Sequence, residues 1–100
     1  MIYAFWLLDR PDTQALRVAT RPAHRAYLEK VADRIAFAGP LCDENGLMIG
    51  SLLVIDFPSE VAARTWLSEE PFTRAGIYAT SHIHAFENRW PQMTGFPSDS

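Results

Sequence analysis

The 100-residue chain has one cysteine, Cys42, and it has no uninterrupted run of about 18 apolar residues. A single cysteine excludes an internal disulfide and any metal site built on several cysteines. A lone cysteine is also a weak signal for a catalytic nucleophile. Because a membrane-spanning helix needs such an apolar run, we expect no membrane partner.

An excess of basic residues is also missing. Nine lysines and arginines stand against twelve aspartates and glutamates, and the net charge is −3. Proteins that bind nucleic acid carry a basic face, so we expect no nucleic-acid partner. The first residues, MIYAFWLLDRPD, lack the positive leader and the small-residue cleavage site of a signal peptide. This predicts a cytoplasmic protein.

The composition that is present is globular. Hydrophobic residues make up 48% of the chain and charged residues 21%, which is typical of one compact domain. Strand-like and helix-like patterns alternate through most of the chain, and a segment rich in proline, glycine and serine follows them. We therefore predict one domain over residues 1–88 and a C-terminal tail over residues 89–100.

The predicted elements follow the order β-α-β-β-α-β. Apolar runs and alternation predict four strands, and Gly39-Pro40 is expected to end the second one. An apolar stripe over residues 21–33 predicts the first helix, where Pro22 either starts the helix or breaks it. Ser59 is expected to cap the second helix. The predicted ranges are 2–8, 21–33, 35–41, 51–57, 60–70 and 77–87.

This order is typical of the ferredoxin-like arrangement, an α+β fold in which two helices cover one face of a four-stranded antiparallel sheet. The first strand is apolar on both sides, because Ala4 and Trp6 alternate with Tyr3 and Phe5. The two helices cover only one of these sides. We therefore predict a homodimer in which a second copy covers the other side and forms a dimeric α+β barrel.

His24, in the stretch RPAHRAYL, is the first candidate for chemistry. It stands four residues before Leu28 and seven before Val31, so it lies on the apolar stripe that faces the sheet. One interpretation is a core histidine that is hydrogen-bonded to the backbone. The other is a general acid or base, which needs a carboxylate to fix its tautomer.

Glu70, directly before Pro71, is the best candidate for that carboxylate. It falls between the second helix and the last strand, on the side of the sheet where the first helix is also expected. The alternative is that Glu69 and Glu70 form a solvated pair at a helix end. The residues alone leave both interpretations open.

His82 and His84 alternate in the last strand and are expected to share a face with Tyr78. Two histidines without an evident third ligand are weak evidence for a metal, so we predict no metal site. The histidines are instead candidates for lining a pocket, or they face solvent. Arg21 precedes His24, and it is either a solvated arginine or a group that neutralises an anion.

Four segments together resemble the YCII-related (YciI-like) family of small proteins. The segments are IYAFWLLDRPD, RPAHRAYLEKV, AGPLCDENGLMIGSLLVIDF and TWLSEEPFTRAGIYATSHIHAFE, in that order, and they cover nearly all of residues 2–88. The resemblance implies a dimeric α+β barrel built on a ferredoxin-like protomer. It also implies a His-Asp dyad, and one branch of the family includes a dehydrochlorinase that acts on a chlorinated hydroxyhydroquinone.

The resemblance places the family histidine at His24 and the family aspartate at Glu70. The sequence departs from the family pattern at this second position, because glutamate has one methylene more than aspartate. For a fixed backbone the longer side chain moves the carboxylate by about 1–1.5 Å. A displacement of about 1 Å is large enough to matter in a catalytic site.

Two hypotheses for the function follow. In the first, the protein is a cofactor-independent enzyme of the lyase or isomerase type, and His24 is its acid or base with Glu70 as orienting partner. Its substrate is a small aromatic or enolisable molecule, and further substrate contacts are predicted from Phe5, Trp6, Ser51, Phe72, Tyr78 and His82. In the second, the protein is a non-catalytic dimeric module that binds a small ligand or a partner protein, and His24 is structural.

Overall fold

A computed structural model describes residues 1–92, so the predicted tail, 89–100, lies partly outside the described residues. The four strands are β1 (Ile2–Asp9), β2 (Ile35–Cys42), β3 (Met48–Asp56) and β4 (Tyr78–Phe86). The helices are α1 (Gln14–Glu29), α2 (Glu60–Glu69) and the short α3 (Pro71–Arg74). A 3-10 turn over Ala32–Arg34 leads into β2.

The strands form one sheet with the order β2-β3-β1-β4, in which all neighbours are antiparallel. This confirms the predicted α+β, ferredoxin-like arrangement. β1 lies inside the sheet, where Phe5 is opposite Leu53 of β3 and Ile83 of β4. Directly opposite residues share a face of a sheet, so these three side chains point to the same side.

The hydrophobic core lies between that side of the sheet and the two main helices. Phe5 is fully buried, and its ring contacts the rings of Phe57 and Trp66 with centroids 6.0 and 5.7 Å apart. Tyr27 of α1 covers Trp66 of α2, and its hydroxyl donates to the Trp66 carbonyl oxygen at 2.8 Å. This contact fixes the two helices relative to each other above the core.

The first helix begins earlier than predicted and continues through Pro22, and it ends at Glu29. A proline inside a helix costs about 3 kcal/mol, because it lacks the N–H donor and its ring crowds the preceding turn. Upstream of Pro22 the helix is anchored by Arg17, a buried side chain that contacts the sheet. The tertiary contact of this earlier turn outweighs the local helix-breaking signal.

Gly39-Pro40 lies within the second strand and does not stop it, and the strand ends one residue beyond the predicted range 35–41. β2 continues to Cys42, and Pro40 is opposite Ser51 of β3. Because β2 is an edge strand, a residue without an N–H donor is tolerated in it.

Two glycines form turns between elements, and the predicted helix cap is present. Gly46, in the β2–β3 hairpin, has φ +82°, and Gly76, after α3, has φ +77°. Glycine reaches these positive values without steric cost. The Ser59 hydroxyl accepts a hydrogen bond from the Ala62 N–H and so caps α2, as expected.

A β-bulge changes which face Tyr78 occupies. Leu8 is opposite Thr80, whereas the next residue, Asp9, is opposite Tyr78, so one residue of β4 is extra at this point. Tyr78 is therefore buried on the helix-covered side, whereas His82 is exposed on the other side. The prediction that Tyr78 shares a face with the two histidines is wrong for this reason.

Within residues 1–92, every helix is too short or too polar to cross a membrane.

Candidate active site

A cavity of about 480 Å³ lies between α1 and the side of the sheet formed by β2 and β3. This volume is in the range of small-molecule sites. The β2–β3 hairpin supplies much of the apolar wall, whereas α1 supplies most of the charged groups. The residues that bear on its chemistry are Arg17, Arg21, His24, Arg25, Ser51 and Phe72.

The side chain of His24 lies in the cavity wall and is 14% exposed. Its Nδ1 is hydrogen-bonded to Oε1 of Glu70, whose side chain is completely buried. Glutamate therefore spans the distance in this chain where the family resemblance implies aspartate.

The backbone at Glu70 explains how a glutamate enters the interior. Glu70 separates α2 from α3 and is extended, with φ −66° and ψ 134°. A residue before proline is driven toward this conformation, because the ring of Pro71 crowds the helical one. The Glu70 carbonyl then accepts from the Arg74 N–H, and so the chain re-enters a helical turn immediately.

The contact with Glu70 decides which histidine nitrogen is available for chemistry. A carboxylate accepts hydrogen bonds, so Nδ1 of His24 carries the proton and Nε2 keeps its lone pair. The carboxylate also stabilises the imidazolium that forms when Nε2 takes up a proton. The arrangement can therefore accept a proton from a molecule in the cavity and return it.

The buried carboxylate of Glu70 depends on His24 for its side-chain hydrogen bond. Its second oxygen, Oε2, is buried without a hydrogen-bond donor among residues 1–92. An ionised carboxylate that is buried without partners is costly. The contact with His24 is therefore important for the stability of this region as well as for its chemistry.

Phe72, in α3, fixes the plane of the imidazole. The two rings are parallel within 2°, with centroids 3.9 Å apart. The guanidinium carbon of Arg17 lies 4.8 Å from the centre of the same phenyl ring. Phe72 itself is buried, so its ring is a fixed surface against which both α1 side chains are placed.

Arg17 forms the most extensively bonded polar centre of the wall. Its Nε donates to Asp9 at 2.6 Å, and its Nη2 donates to the Gly50 carbonyl at 2.7 Å and to the Ser51 hydroxyl at 2.8 Å. Both members of the Arg17–Asp9 ion pair are less than 10% exposed. This centre connects the first turns of α1 to β1 and β3.

Tyr78 extends this polar centre by one hydrogen bond, because its hydroxyl donates to the Ser51 hydroxyl at 2.9 Å. Burial raises the pKa of Tyr78 above its ordinary value of 10.0, and the negative charge of Glu70 raises it further. The hydrogen bond to Ser51 acts in the opposite direction. Tyr78 therefore stays a neutral hydrogen-bond donor under physiological conditions.

The sequence did not identify Arg17 or Asp9 as candidates, although both carried a signal. Arg17 is seven residues before His24, and this spacing puts the two side chains on the same side of a helix. Asp9 directly follows the apolar run of β1. The uncertainty at Pro22 hid the first signal, because the predicted helix did not reach Arg17.

Three of the predicted contact residues lie away from the cavity. Phe5 is fully buried in the core. Trp6 and His82 are opposite each other in the sheet, on the face that the helices leave open. Of the remaining predicted contacts, Ser51 and Phe72 line the cavity and Tyr78 is bonded to Ser51.

His82 and His84 stack against each other on that open face, with ring centroids 6.4 Å apart. Within the described part of the chain, no group of three or more histidine, cysteine, aspartate or glutamate side chains is arranged to hold a metal ion. Cys42 is exposed at the end of β2 and does not line the cavity.

Comparison with known proteins places the chain in a family. The model of the YCII-related domain matches residues 1–87. The chain belongs to the YCII-related family. The protein YciI of Escherichia coli is 32% identical over 95 residues, which cover 87% of this chain and 97% of the relative. An uncharacterised protein of Haemophilus influenzae is similar to the same extent, with 32% identity over 87% of this chain and 97% of its own length.

A solved structure shares the same fold. It is the 5-chloro-2-hydroxyhydroquinone dehydrochlorinase TftG of Burkholderia phenoliruptrix, in complex with 2,5-dihydroxybenzoquinone. The TM-score is 0.83 and the identity is 26%, over 89% of this chain and 96% of the other. The chain thus shares its fold with a dehydrochlorinase whose structure contains a bound small molecule.

Proposed function

We propose that this protein is an enzyme that moves a proton within a small molecule, in a lyase- or isomerase-type reaction. The observation that carries the proposal is the buried Glu70 carboxylate, which holds Nδ1 of His24 in the wall of a 480 Å³ cavity. His24 is the general base, and Glu70 is the residue that orients it. A purely structural histidine would need neither the cavity nor the buried charge.

The reaction starts when Nε2 of His24 takes a proton from an acidic C–H or O–H group of the substrate. The electron pair of the broken bond then forms a new double bond. In an elimination, a leaving group such as chloride departs with the pair of its own bond, and in an isomerisation the imidazolium returns the proton to another atom. In the elimination the imidazolium afterwards releases its proton to water. Neither route passes electrons to or from a second reactant, so the proposed reaction requires no redox cofactor.

The dehydrochlorinase TftG supports this assignment, because its elimination belongs to the same class of reaction and its complex contains a hydroxylated quinone. The substrate class proposed here is correspondingly a small planar enol, phenol or hydroxyquinone. The apolar wall of the cavity beside the charged α1 residues is suited to such a molecule.

The test is turnover by a His24→Ala variant. We expect wild-type protein to convert 5-chloro-2-hydroxyhydroquinone or another halogenated or enolisable phenol from a panel, and His24→Ala to lower kcat/KM by about 10²–10⁴-fold. Arg64→Ala changes an exposed residue of α2 that does not line the cavity; it is the control and should leave turnover unchanged. Equal turnover by His24→Ala and wild type would reject the proposal.

The proposed functional unit is a homodimer joined through the open face of the sheet. Trp6 is 47% exposed there and Phe86 is 42% exposed, and both lie outside the helix-covered core. An apolar face that meets a second copy of itself is buried on both partners. Light scattering should give the dimer mass for wild type and the monomer mass for Trp6→Glu, whereas a monomeric wild type at micromolar concentration would contradict the dimer.

A further inference from the structure

Three arginines line the cavity in a row along α1. Arg17, Arg21 and Arg25 are four residues apart, so they lie one above another on the same side of the helix. The first of them is balanced by Asp9, which receives its Nε–H. The other two differ from it in their surroundings.

Arg21 and Arg25 have no ion-pair partner among the residues that the structure describes. Glu29 also lines the cavity four residues beyond Arg25, but it makes no ion pair with it. Two like charges four residues apart on a helix repel each other. The mouth of the cavity is therefore locally positive in a protein whose net charge is −3.

The wall of the cavity facing this pair is apolar. Leu53 lies at its base, and Pro40 and Met48 belong to the strands beside it. A ligand that matches both parts of the cavity has a flat apolar body and a negative charge at one edge. Guanidinium groups are well suited to that edge, because they bind planar oxyanions through two parallel N–H groups.

We propose that the substrate is a planar organic anion, such as an aromatic carboxylate, phenolate or hydroxyquinone anion, whose charged oxygens bind Arg21 and Arg25. This inference rests on the proposed function and names the substrate class of the same site. The two guanidinium groups also stabilise the negative charge that grows on the substrate when His24 removes its proton. Arg21 and Arg25 are thus binding and specificity-determining residues.

The test compares anions with neutral molecules of nearly the same shape. The probes are 2,5-dihydroxybenzoquinone against 2,5-dimethoxybenzoquinone, and 4-hydroxybenzoate against its methyl ester, with Kd measured by calorimetry. We expect at least one anion to bind wild type about 10- to 100-fold more tightly than its neutral counterpart, because each lost bond to a charged group weakens binding by about this factor. The preference should decrease as salt is added.

The Arg21→Gln/Arg25→Gln double variant should bind the anion and the neutral molecule with nearly equal affinity. Arg34→Gln removes the same charge from an exposed arginine that does not line the cavity, and it should keep the full preference. Circular dichroism shows whether the double variant is folded. Arg21→Lys/Arg25→Lys is the second variant, and it should recover part of the preference because it restores the charge.

Equal affinity for both members of each pair, no binding of any probe, or a preference that survives in the folded double glutamine variant would each overturn the inference. These outcomes are separable from failure of the proposed function. His24→Ala should lose turnover and keep the preference for the anion, whereas the arginine variants should lose the preference and keep the His24–Glu70 hydrogen bond.

Discussion

Two side chains of α1 contact buried carboxylates, and the two contacts differ in how completely the groups involved are hydrogen-bonded. Arg17 contacts Asp9, and His24 contacts Glu70. Both α1 side chains also contact the ring of Phe72. The Arg17 contact joins a permanent cation to hydrogen-bond acceptors on two strands, whereas the His24 contact joins a titratable ring to a single carboxylate.

Because of this difference, Arg17 contributes to structural stability and His24 to chemistry, although both residues belong to α1. Arg17 cannot lose its proton in a protein, so its ion pair is suited to holding α1 against the sheet. His24 uses one ring nitrogen to contact Glu70 and keeps the other free to exchange a proton with a bound molecule. Arg17, whose charge is fixed, therefore positions the helix that carries His24.

The largest effect on stability is expected from Arg17→Met. This change leaves Asp9 as a buried carboxylate without its cation, and breaking such a pair costs about 3–5 kcal/mol. Urea denaturation should show a loss of this size in the free energy of unfolding. The matched variant Asp9→Leu/Arg17→Met removes both charges and should recover much of the loss, because it leaves no unpaired ion. A wild-type denaturation midpoint for Arg17→Met would contradict the structural role.

Glu70→Gln is expected to act on chemistry more than on stability. An amide can donate to Nδ1 and so favours the tautomer in which Nε2 carries the proton, which cannot act as a base. We expect kcat/KM to fall about 100-fold, which corresponds to about 2.7 kcal/mol of transition-state free energy. The loss in unfolding free energy should be smaller than for Arg17→Met, because the variant removes the buried charge instead of leaving it unpaired.

Nitrogen NMR of the His24 ring tests this interpretation independently of turnover. Wild type should show a proton on Nδ1, and Glu70→Gln should show it on Nε2. Glu70→Asp keeps the charge and is the matched control, so it should retain the wild-type tautomer and more activity than Glu70→Gln. An unchanged tautomer in Glu70→Gln would mean that Glu70 does not orient His24.

The contacts of Arg17 and His24 also differ in how far the sequence could predict them. The element order and the ferredoxin-like fold followed from apolar periodicity and turn residues, because these local patterns report which faces are buried. His24 and Glu70 were paired through the family resemblance, and helical spacing put His24 on the buried side. The extended backbone that directs Glu70 inward was foreseeable from Pro71.

The contact between Arg17 and Asp9 was not predicted, because two local features of the chain obscured it. Pro22 is a helix-breaking signal, and the tertiary contact of Arg17 acts against it. The bulge beside Asp9 reverses the alternation of β4, and no residue type in the sequence indicates that a bulge is present. The face that Tyr78 occupies in the assembled sheet therefore could not be assigned correctly from alternation alone.

Phe72→Leu should weaken the contacts of both Arg17 and His24, with a smaller effect than the preceding variants. It removes the stacked ring from His24 and the cation–π contact from Arg17, and together these are worth about 1–2 kcal/mol. The free energy of unfolding should fall by this amount, and kcat/KM should fall as well because the imidazole is less firmly placed. Phe57→Leu is the matched control, since Phe57 contacts Phe5 and Trp66 in the core. It should lower stability without changing turnover, and an equal effect of both variants on kcat/KM would contradict a role of Phe72 in placing His24.

The smallest effect is expected from Tyr78→Phe, and it depends on pH. The variant loses the hydrogen bond to Ser51, so we expect about 1 kcal/mol less stability at neutral pH. Burial raises the pKa of Tyr78 in the folded protein above the value of 10.0 that it has when exposed. The folded state therefore binds the phenol proton more tightly than the unfolded state. The stabilisation is complete below that unfolded pKa and is lost as the pH rises through the folded one.

Urea denaturation of wild type and Tyr78→Phe at neutral and at strongly alkaline pH measures this difference. Wild type should lose stability more steeply than the variant above the unfolded pKa, so the two free energies of unfolding should converge. Tyr27, whose pKa is also raised by burial, is present in both proteins and cancels in the comparison. Parallel pH profiles would show that Tyr78 ionises as readily in the folded protein as in the unfolded one. In that case the polar centre around Arg17 and Ser51 would be open to water, and the contrast with the His24 site would disappear.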